Sequence, residues 1–257
     1  MDKLICANIF VPLRTGPSHK SEQGSQILFG EKYTVLDRSV NWIWIRNEFD
    51  GYEGWLDDDH HLYYESGQDD SSPGILASRT EFTDGHGHAL VLEAGSEIYN
   101  FNRKENSFTI GKSTFIASGK VILCPVNETV SQTAIKFRNC PYLWGGRTSG
   151  GMDCSGLTQL VYKLHGYTLS RNSFKQAEIG ETVSFLEEAR AGDLLFFDNE
   201  RGSITHVGLL LDKGYVIHCS GKVRIDRIDH QGIYVESSNR YTHRLRTIKR
   251  IEVRDES

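Results

Sequence analysis

The chain has 257 residues, 29 Lys+Arg against 34 Asp+Glu, a formal charge of -5 and 38% hydrophobic residues. That length holds one to three compact domains with material for buried cores. The mild, mixed charge excludes a sequence-independent nucleic-acid binder, which needs a basic face. No apolar run of about 18 residues occurs, which excludes a membrane-spanning helix. The amino terminus reads as a first β-strand rather than a secretion signal, so cytoplasmic residence is expected. The five cysteines Cys6, Cys124, Cys140, Cys154 and Cys219 are odd in number and widely spaced, with no C-x-x-C pair. A disulfide scaffold and a zinc ribbon are both excluded.

Residues 1–64 are dense in β signals. The run Asn41-Trp-Ile-Trp-Ile-Arg46 alternates aromatic and aliphatic residues, and Asp50-Gly51 supplies a turn before Tyr52 and Trp55. Short strands with frequent turns predict a small barrel. The polar segment from Glu65 to Gly74 reads as a linker. A second β-rich unit is expected over 75–124, through Ala89–Leu92, Glu97–Phe101 and Phe108–Ile110. Asn127-Glu-Thr129 has the form of a glycosylation sequon, which means little without a secretion signal. His60-His61 and His86-Gly-His88 sit in polar, turn-like surroundings, and no further ligands stand at metal-binding spacing.

From about Ser131 the texture changes. A helix is expected to begin between Thr133 and Phe137, followed by the glycine-rich loop Pro141 to Gly151. Leu157, Leu160, Val161 and Leu164 recur at helical spacing, and Gly166 is a stop, which puts Cys154 at a helix start. A short helix near 172–180 follows. Strands are expected over Asp193–Asp198, His206–Leu211, Tyr215–Ser220 and Gly232–Ser237, with a fifth over Arg244–Val253. One helix followed by consecutive strands is an α+β pattern.

Unpaired N–H groups and the dipole at a helix start favour negative charge, so Cys154 is expected to carry a lowered thiol pKa. The alternative is a small buried hydrophobe. Cys6 and Cys124 lie in or beside apolar β runs, and Cys140 precedes a proline, which pushes it into extended geometry. Cys219 adjoins His218 in a strand, where neighbours face opposite ways. A thiol nucleophile needs a base with an orienting partner. His206 and His218 lie on successive strands about 4.8 Å apart, so two inward-facing rings can hydrogen-bond directly.

At these residues a resemblance becomes specific. Tyr142-Leu-Trp-Gly-Gly146, Asp153-Cys-Ser-Gly156, Ala191 to Phe197, His206-Val-Gly-Leu209 and Val216 to Ser220 resemble, in order, the motifs of the NlpC-type cell-wall cysteine peptidases. The likeness covers about residues 131–240. It implies an α+β fold: a papain-like catalytic domain, here 131–257, preceded by two small SH3-like β-barrels. Val11 to Arg14, Ser21-Glu22 with Gln26 to Glu31, and Asp50 to Trp55 resemble the SH3-like domain of the family's recycling branch. The second unit's motifs are weaker.

Carried onto this sequence, the resemblance makes Cys154 the nucleophile, His206 the base and His218 the orienting residue. Tyr142 would polarise the scissile carbonyl beside the Cys154 backbone N–H. Asp153, Ser155 and Ser173 fall where the family contacts the substrate's amino-terminal portion, and Trp144 walls the cleft or is a core aromatic. Glu22 and Tyr52 would close the amino-terminal end of the cleft, or else are a solvated loop residue and a barrel aromatic. The implied reaction is hydrolysis of the γ-D-glutamyl–diamino acid bond in murein peptides such as L-Ala-γ-D-Glu-diaminopimelate, in peptide recycling. No cofactor, metal, membrane or protein partner is implied. A thiol acyltransferase and a catalytically dead murein-peptide-binding protein are the alternatives.

Overall fold

The structure is a computed structural model that describes residues 3–59, 63–65, 72–212 and 214–252. His60-His61, most of the expected linker, the residue between Asp212 and Gly214, and the end of the last expected strand lie outside the described residues. The chain forms two compact units, Met1–Val126 and Asn127–Ser257.

In the first unit, seven strands pair antiparallel in the order Gln23–Leu28, Phe10–Arg14, Glu53–Asp57, Trp42–Asn47, Lys32–Ser39, Lys3–Cys6, Tyr63–Glu65. The period-2 pattern is visible in Trp42–Asn47. Ile43, Ile45 and Asn47 turn inward, while Trp42 and Trp44 are half-buried. Leu4, Val11, Leu13, Ile27, Ile43, Ile45 and Leu56 fill the core. Inward-facing Asn47 is matched by Glu31, whose carboxylate accepts from the Asn47 amide at 3.1 Å.

The second β region is a four-stranded antiparallel sheet in the order Ala89–Leu92, Thr80–Asp84, Ser113–Ala117, Ser107–Ile110, with a separate pair Gly74–Ile75 and Glu97–Ile98. It is not a bead on a linker. Ile5 and Phe29 of the first β region share one core with Leu76, Phe82, Ile98, Phe108 and Phe115. The Tyr99 hydroxyl donates to the Gly30 carbonyl at 2.8 Å, and the Glu97 N–H to the Phe29 carbonyl at 2.9 Å. Sequence alone could not foresee this, because Ile5 and Phe29 fit either core equally well.

The second unit begins with α1 (Val130–Ile135), a few residues earlier than expected. Thr129 caps it in a reciprocal capping box with Gln132, so the sequon threonine serves as a helix cap. Helix α2 (Cys154–Lys163) is buried on every side, and Gly166, at φ +80°, follows it. Helix α3 (Ser173–Gln176) is one turn long.

A seven-stranded antiparallel sheet completes the unit. Its order is Glu181–Val183, Arg240–Arg250, Leu194–Asp198, Ile204–Asp212, Tyr215–Ser220, Lys222–Ile228, Gly232–Val235. Gly232–Val235 also pairs with Arg240–Arg250, so six of these strands close on one another. The four expected strands are present. Two were unforeseen, Glu181–Val183 and Lys222–Ile228. In Lys222–Ile228 four charged residues interrupt the apolar alternation, so the segment reads as a polar connection.

Candidate active site

Helix α2 starts where it does because Asp153 is its N-cap, with extended backbone angles and a carboxylate that accepts the Gly156 N–H at 2.7 Å. The same carboxylate accepts from the Gly145 N–H at 2.9 Å and the Ser155 hydroxyl at 3.2 Å. Arg171 grips it with two nitrogens, at 2.6 and 3.0 Å, and also donates to Ser155 Oγ at 2.9 Å. Asp153 and Arg171 are both buried. Both Asp153 oxygens are thus occupied within the protein. Gly156 is required by packing: a Cβ there would overlap the carbonyl oxygen of Gly146. The Asp-Cys-Ser-Gly motif therefore seats the helix start against the glycine-rich loop.

Cys154 is the first residue of α2 and is 8% exposed. The backbone N–H groups of Val207 and Ser155 hydrogen-bond to its sulfur, which sets it beside the strand of His206. Burial, and after it the Asp153 carboxylate, push the thiol up to about 11, against the opposing pull of those N–H groups and Arg171. This corrects the expectation of a lowered pKa. The helix start does offer N–H groups, but a dry site and the adjacent Asp153 carboxylate outweigh them.

His206 lies on Ile204–Asp212, His218 on Tyr215–Ser220 and Asp226 on Lys222–Ile228, three neighbouring strands. In the register Gly208 faces His218 and Val216 faces Asp226, so the three polar side chains run diagonally along one sheet face. His206 Nε2 is 2.9 Å from His218 Nδ1, with the rings at 90°. His218 Nε2 is 2.9 Å from Asp226 Oδ2. Burial and the neighbouring His218 and His243 hold His206 well below the ordinary histidine value, so it is a neutral imidazole at pH 7.

His243, on Arg240–Arg250, stacks on His206 with ring centroids 4.2 Å apart and planes at 27°. Burial, and then His218, lower it to about 4. The ring nitrogens of His206, His218 and His243 lie within 4.8 Å of one another, a metal-like spacing. Of these nitrogens, however, His206 Nε2 and His218 Nδ1 are hydrogen-bonded to each other, and His218 Nε2 to Asp226. The cluster is built as a hydrogen-bonded chain with a stacked neighbour.

Tyr142 is joined by a bridge to Met152 at the mouth of the site. Its hydroxyl is pushed up to about 12, first by partial burial and then by Asp153 and Cys154, so it remains a donor at neutral pH. Ser155 is engaged with Asp153 and Arg171. Ser173 is buried at the start of α3, whose Gln176 amide donates to the Ser155 carbonyl at 3.1 Å. Trp144 is 57% exposed, which removes the core-aromatic alternative. Cys219 is buried, donates to the Met152 carbonyl at 3.1 Å, and is pushed up to about 12 by burial above all. Glu22 is exposed and Tyr52 half-buried, and both belong to the first unit.

Asp226, Arg171 and His243 escaped sequence reasoning. Asp226 sits in the unforeseen strand, Arg171 in a polar connection, and His243 in a strand expected to begin one residue later.

A buried cysteine at a helix start, set against an antiparallel sheet that presents a histidine held by an orienting partner, is the arrangement of the papain-like cysteine peptidases. The chain belongs to the NlpC/P60 family. The profile of that family matches residues 139–244, and the profile of the bacterial dipeptidyl-peptidase SH3 domain matches residues 13–60. The chain is 30% identical over 218 residues to the γ-D-glutamyl-L-lysine dipeptidyl-peptidase of Bacillus subtilis (strain 168), covering 76% of this chain and 71% of that protein. It is 28% identical over 222 residues to the protein of the same name from Bacillus cereus, covering 76% of this chain and 66% of that one. The chain thus spans about two thirds of the length of these curated relatives. A crystal structure of an NlpC/P60 family protein from Bacillus cereus has the same fold, with a TM-score of 0.81, 96% of this chain and 99% of that one covered, and 20% identity. The family resemblance read from the motifs is borne out, as is the fold it implied. Among the described residues no helix is long and apolar enough to cross a membrane.

Proposed function

We propose that the protein hydrolyses the γ-D-glutamyl–diamino acid bond of murein peptides, with Cys154 as nucleophile, His206 as base and His218 as orienting residue. What supports this most is the 2.9 Å bond between the His206 and His218 rings on the strand beside the Cys154 sulfur. The activity for which the Bacillus relatives are named adds the bond type.

Because the thiol and the imidazole are both neutral at rest, proton transfer accompanies attack rather than preceding it. The Cys154 sulfur bonds to the γ-carbonyl carbon as its proton passes to His206. The oxyanion is met by the Cys154 backbone N–H, in the first turn of α2, and the Tyr142 hydroxyl. Collapse breaks the C–N bond, and His206 returns the proton to the departing amine of the diamino acid. Water then gives a proton to His206 and adds to the thioester carbon, the C–S bond breaks, and His206 returns the proton to the Cys154 sulfur. Trp144 walls the cleft, and Ser155 and Ser173 line the region taken by the L-Ala residue.

The substrate of this reading is the free tripeptide L-Ala-γ-D-Glu-diamino acid, and the setting is cytoplasmic recycling of released murein peptides. The test is product analysis of that tripeptide. Wild type should release L-Ala-D-Glu and the free diamino acid, while Cys154→Ala, folded by circular dichroism, should release neither. Turnover by Cys154→Ala overturns the reading. Transfer of the dipeptide to an added amine in preference to water would make the enzyme an acyltransferase instead.

A further inference from the structure

The chain of groups does not end at His218. Asp226 is buried on the next strand, and Arg224 holds it through Nε to Oδ2 at 2.6 Å and a second nitrogen to Oδ1 at 2.7 Å. Burial alone would raise the Asp226 carboxyl, but hydrogen bonds from His218 and Arg224 outweigh burial and hold it below its usual value. It is a carboxylate at neutral pH.

A carboxylate can only accept, so the nitrogen facing it, His218 Nε2, carries a proton. In the neutral form of His218 that proton is the only one on the ring, and Nδ1 is a bare lone pair. The 2.9 Å bond from His218 Nδ1 to His206 Nε2 then needs its proton on His206 Nε2. The lone pair of His206 is thereby confined to Nδ1. One buried charge, two hydrogen bonds away, fixes both rings.

We propose that Asp226 sets the tautomers of His218 and His206 in series and so delivers His206 Nδ1 as the base for the Cys154 thiol. Asp226 is a positioning residue, and the proposal rests on the peptidase reading above. On attack the Cys154 proton moves to His206 Nδ1, giving an imidazolium with protons on both nitrogens. The Nε2–H stays on its bond to His218, and no proton need pass to Asp226. Without Asp226, His218 can turn its own N–H towards His206. That forces the His206 proton onto Nδ1 and removes the base. The same logic explains Arg224, which secures the carboxylate from the solvent side.

The experiment compares Asp226→Ala, Asp226→Asn and Cys154→Ala in the full chain, using the tripeptide and nitrogen NMR of the histidine rings. Asp226→Ala should lose at least about a hundredfold in kcat with KM nearly unchanged, since a wrong tautomer in the related triad logic is costlier still. Its His206 ring should shift from a protonated Nε2 towards a protonated Nδ1. Asp226→Asn, which can present an oxygen to His218 and keeps the shape of the site, should recover much of the loss and guards against misfolding. Wild-type kcat and an unshifted His206 signal in both Asp226 variants, with Cys154→Ala inactive, overturn the proposal and leave the peptidase reading intact. Activity in Cys154→Ala overturns that reading and this proposal with it.

Discussion

Gly208 lies directly opposite His218 in the antiparallel register, and a Cβ at Gly208 would stand 3.1 Å from the His218 Cβ and 2.6 Å from Val216 Cγ2. The glycine of the His-Val-Gly motif is therefore a spacer. It sits two residues from His206 on the same face, and its missing side chain lets the His206 and His218 rings meet across the strands. Gly208→Ala should push the two strands or rings apart and cost about 1–3 kcal/mol of stability. Its kcat should fall further than that loss explains, by about tenfold or more, because sub-ångström displacement of a base is expensive. Thermal melting and steady-state kinetics check this. A variant with normal kcat would show that the ring pair tolerates the extra carbon.

The neutral thiol–imidazole pair predicts a characteristic pH response. Because burial and Asp153 push the Cys154 thiol up to about 11, its alkylation by iodoacetamide should be slow at pH 7 and climb steadily through pH 9. Because His206 is held well below the usual histidine range, kcat/KM on the tripeptide should stay level through pH 6.5, with its acid limb lower still. Fast selective alkylation near neutrality would mean that a thiolate–imidazolium pair exists at rest. Cys219, pushed up to about 12 and bonded to the Met152 carbonyl, should label more slowly, and Cys219→Ala should keep activity.

His243 offers a third test. Both His206 and His243 have folded-state values below the unfolded one, so the unfolded chain binds more protons as pH falls beneath about 6.5. Their contribution is fully present above that value and is lost progressively towards the folded values, about 4 for His243. Asp226, Asp198 and Asp229, all lowered, act in the same direction further down. His243→Phe keeps an aromatic ring against His206 but cannot take a proton. It should retain most of the activity and lose less stability than wild type between pH 6.5 and 4.5. Denaturant melts across that window measure the slope. An unchanged slope would place the acid sensitivity elsewhere.

Much of this was legible beforehand, for physical reasons. A helix-start cysteine announces itself through the Leu157, Leu160, Val161 and Leu164 spacing and the Gly166 stop, and two histidines on apolar strands separated by a tight turn must be neighbours. Asp226 was hidden because Lys222–Ile228 carries its charges where an ordinary strand would be apolar, and the charge that spoils the pattern is the one the site uses. The depression expected for the Cys154 thiol failed for a related reason. A helix start is visible in sequence, but the Arg171 pair and the depth of burial that decide the thiol's electrostatics come from tertiary contacts. Likewise, nothing in Ile5 or Phe29 shows that they close a second core.

The final prediction concerns the substrate's amino terminus. An ammonium that leaves water must meet a carboxylate and further acceptors, or desolvation prevents binding. Asp153 is a weak candidate on its own, since Arg171, Gly145, Gly156 and Ser155 already occupy its oxygens. The family resemblance implies Glu22 and the Tyr52 hydroxyl for that role. Tyr52 packs against the core of its own barrel, and Gly24 makes room for its ring, because a Cβ there would overlap the phenol oxygen. If these groups serve the ammonium, N-acetylation of the tripeptide removes the cation and leaves a carboxylate unpaired. Cleavage should slow at least about a hundredfold. Glu22→Gln should lower kcat/KM for the free-amine peptide, leave the melting temperature within a degree or two, and narrow the gap between free and acetylated substrates. Gly24→Ala should act in the same direction by displacing the Tyr52 hydroxyl. Equal rates on free and acetylated peptides, in wild type, would show that the enzyme does not read the amino terminus and that the SH3-like domain serves another purpose.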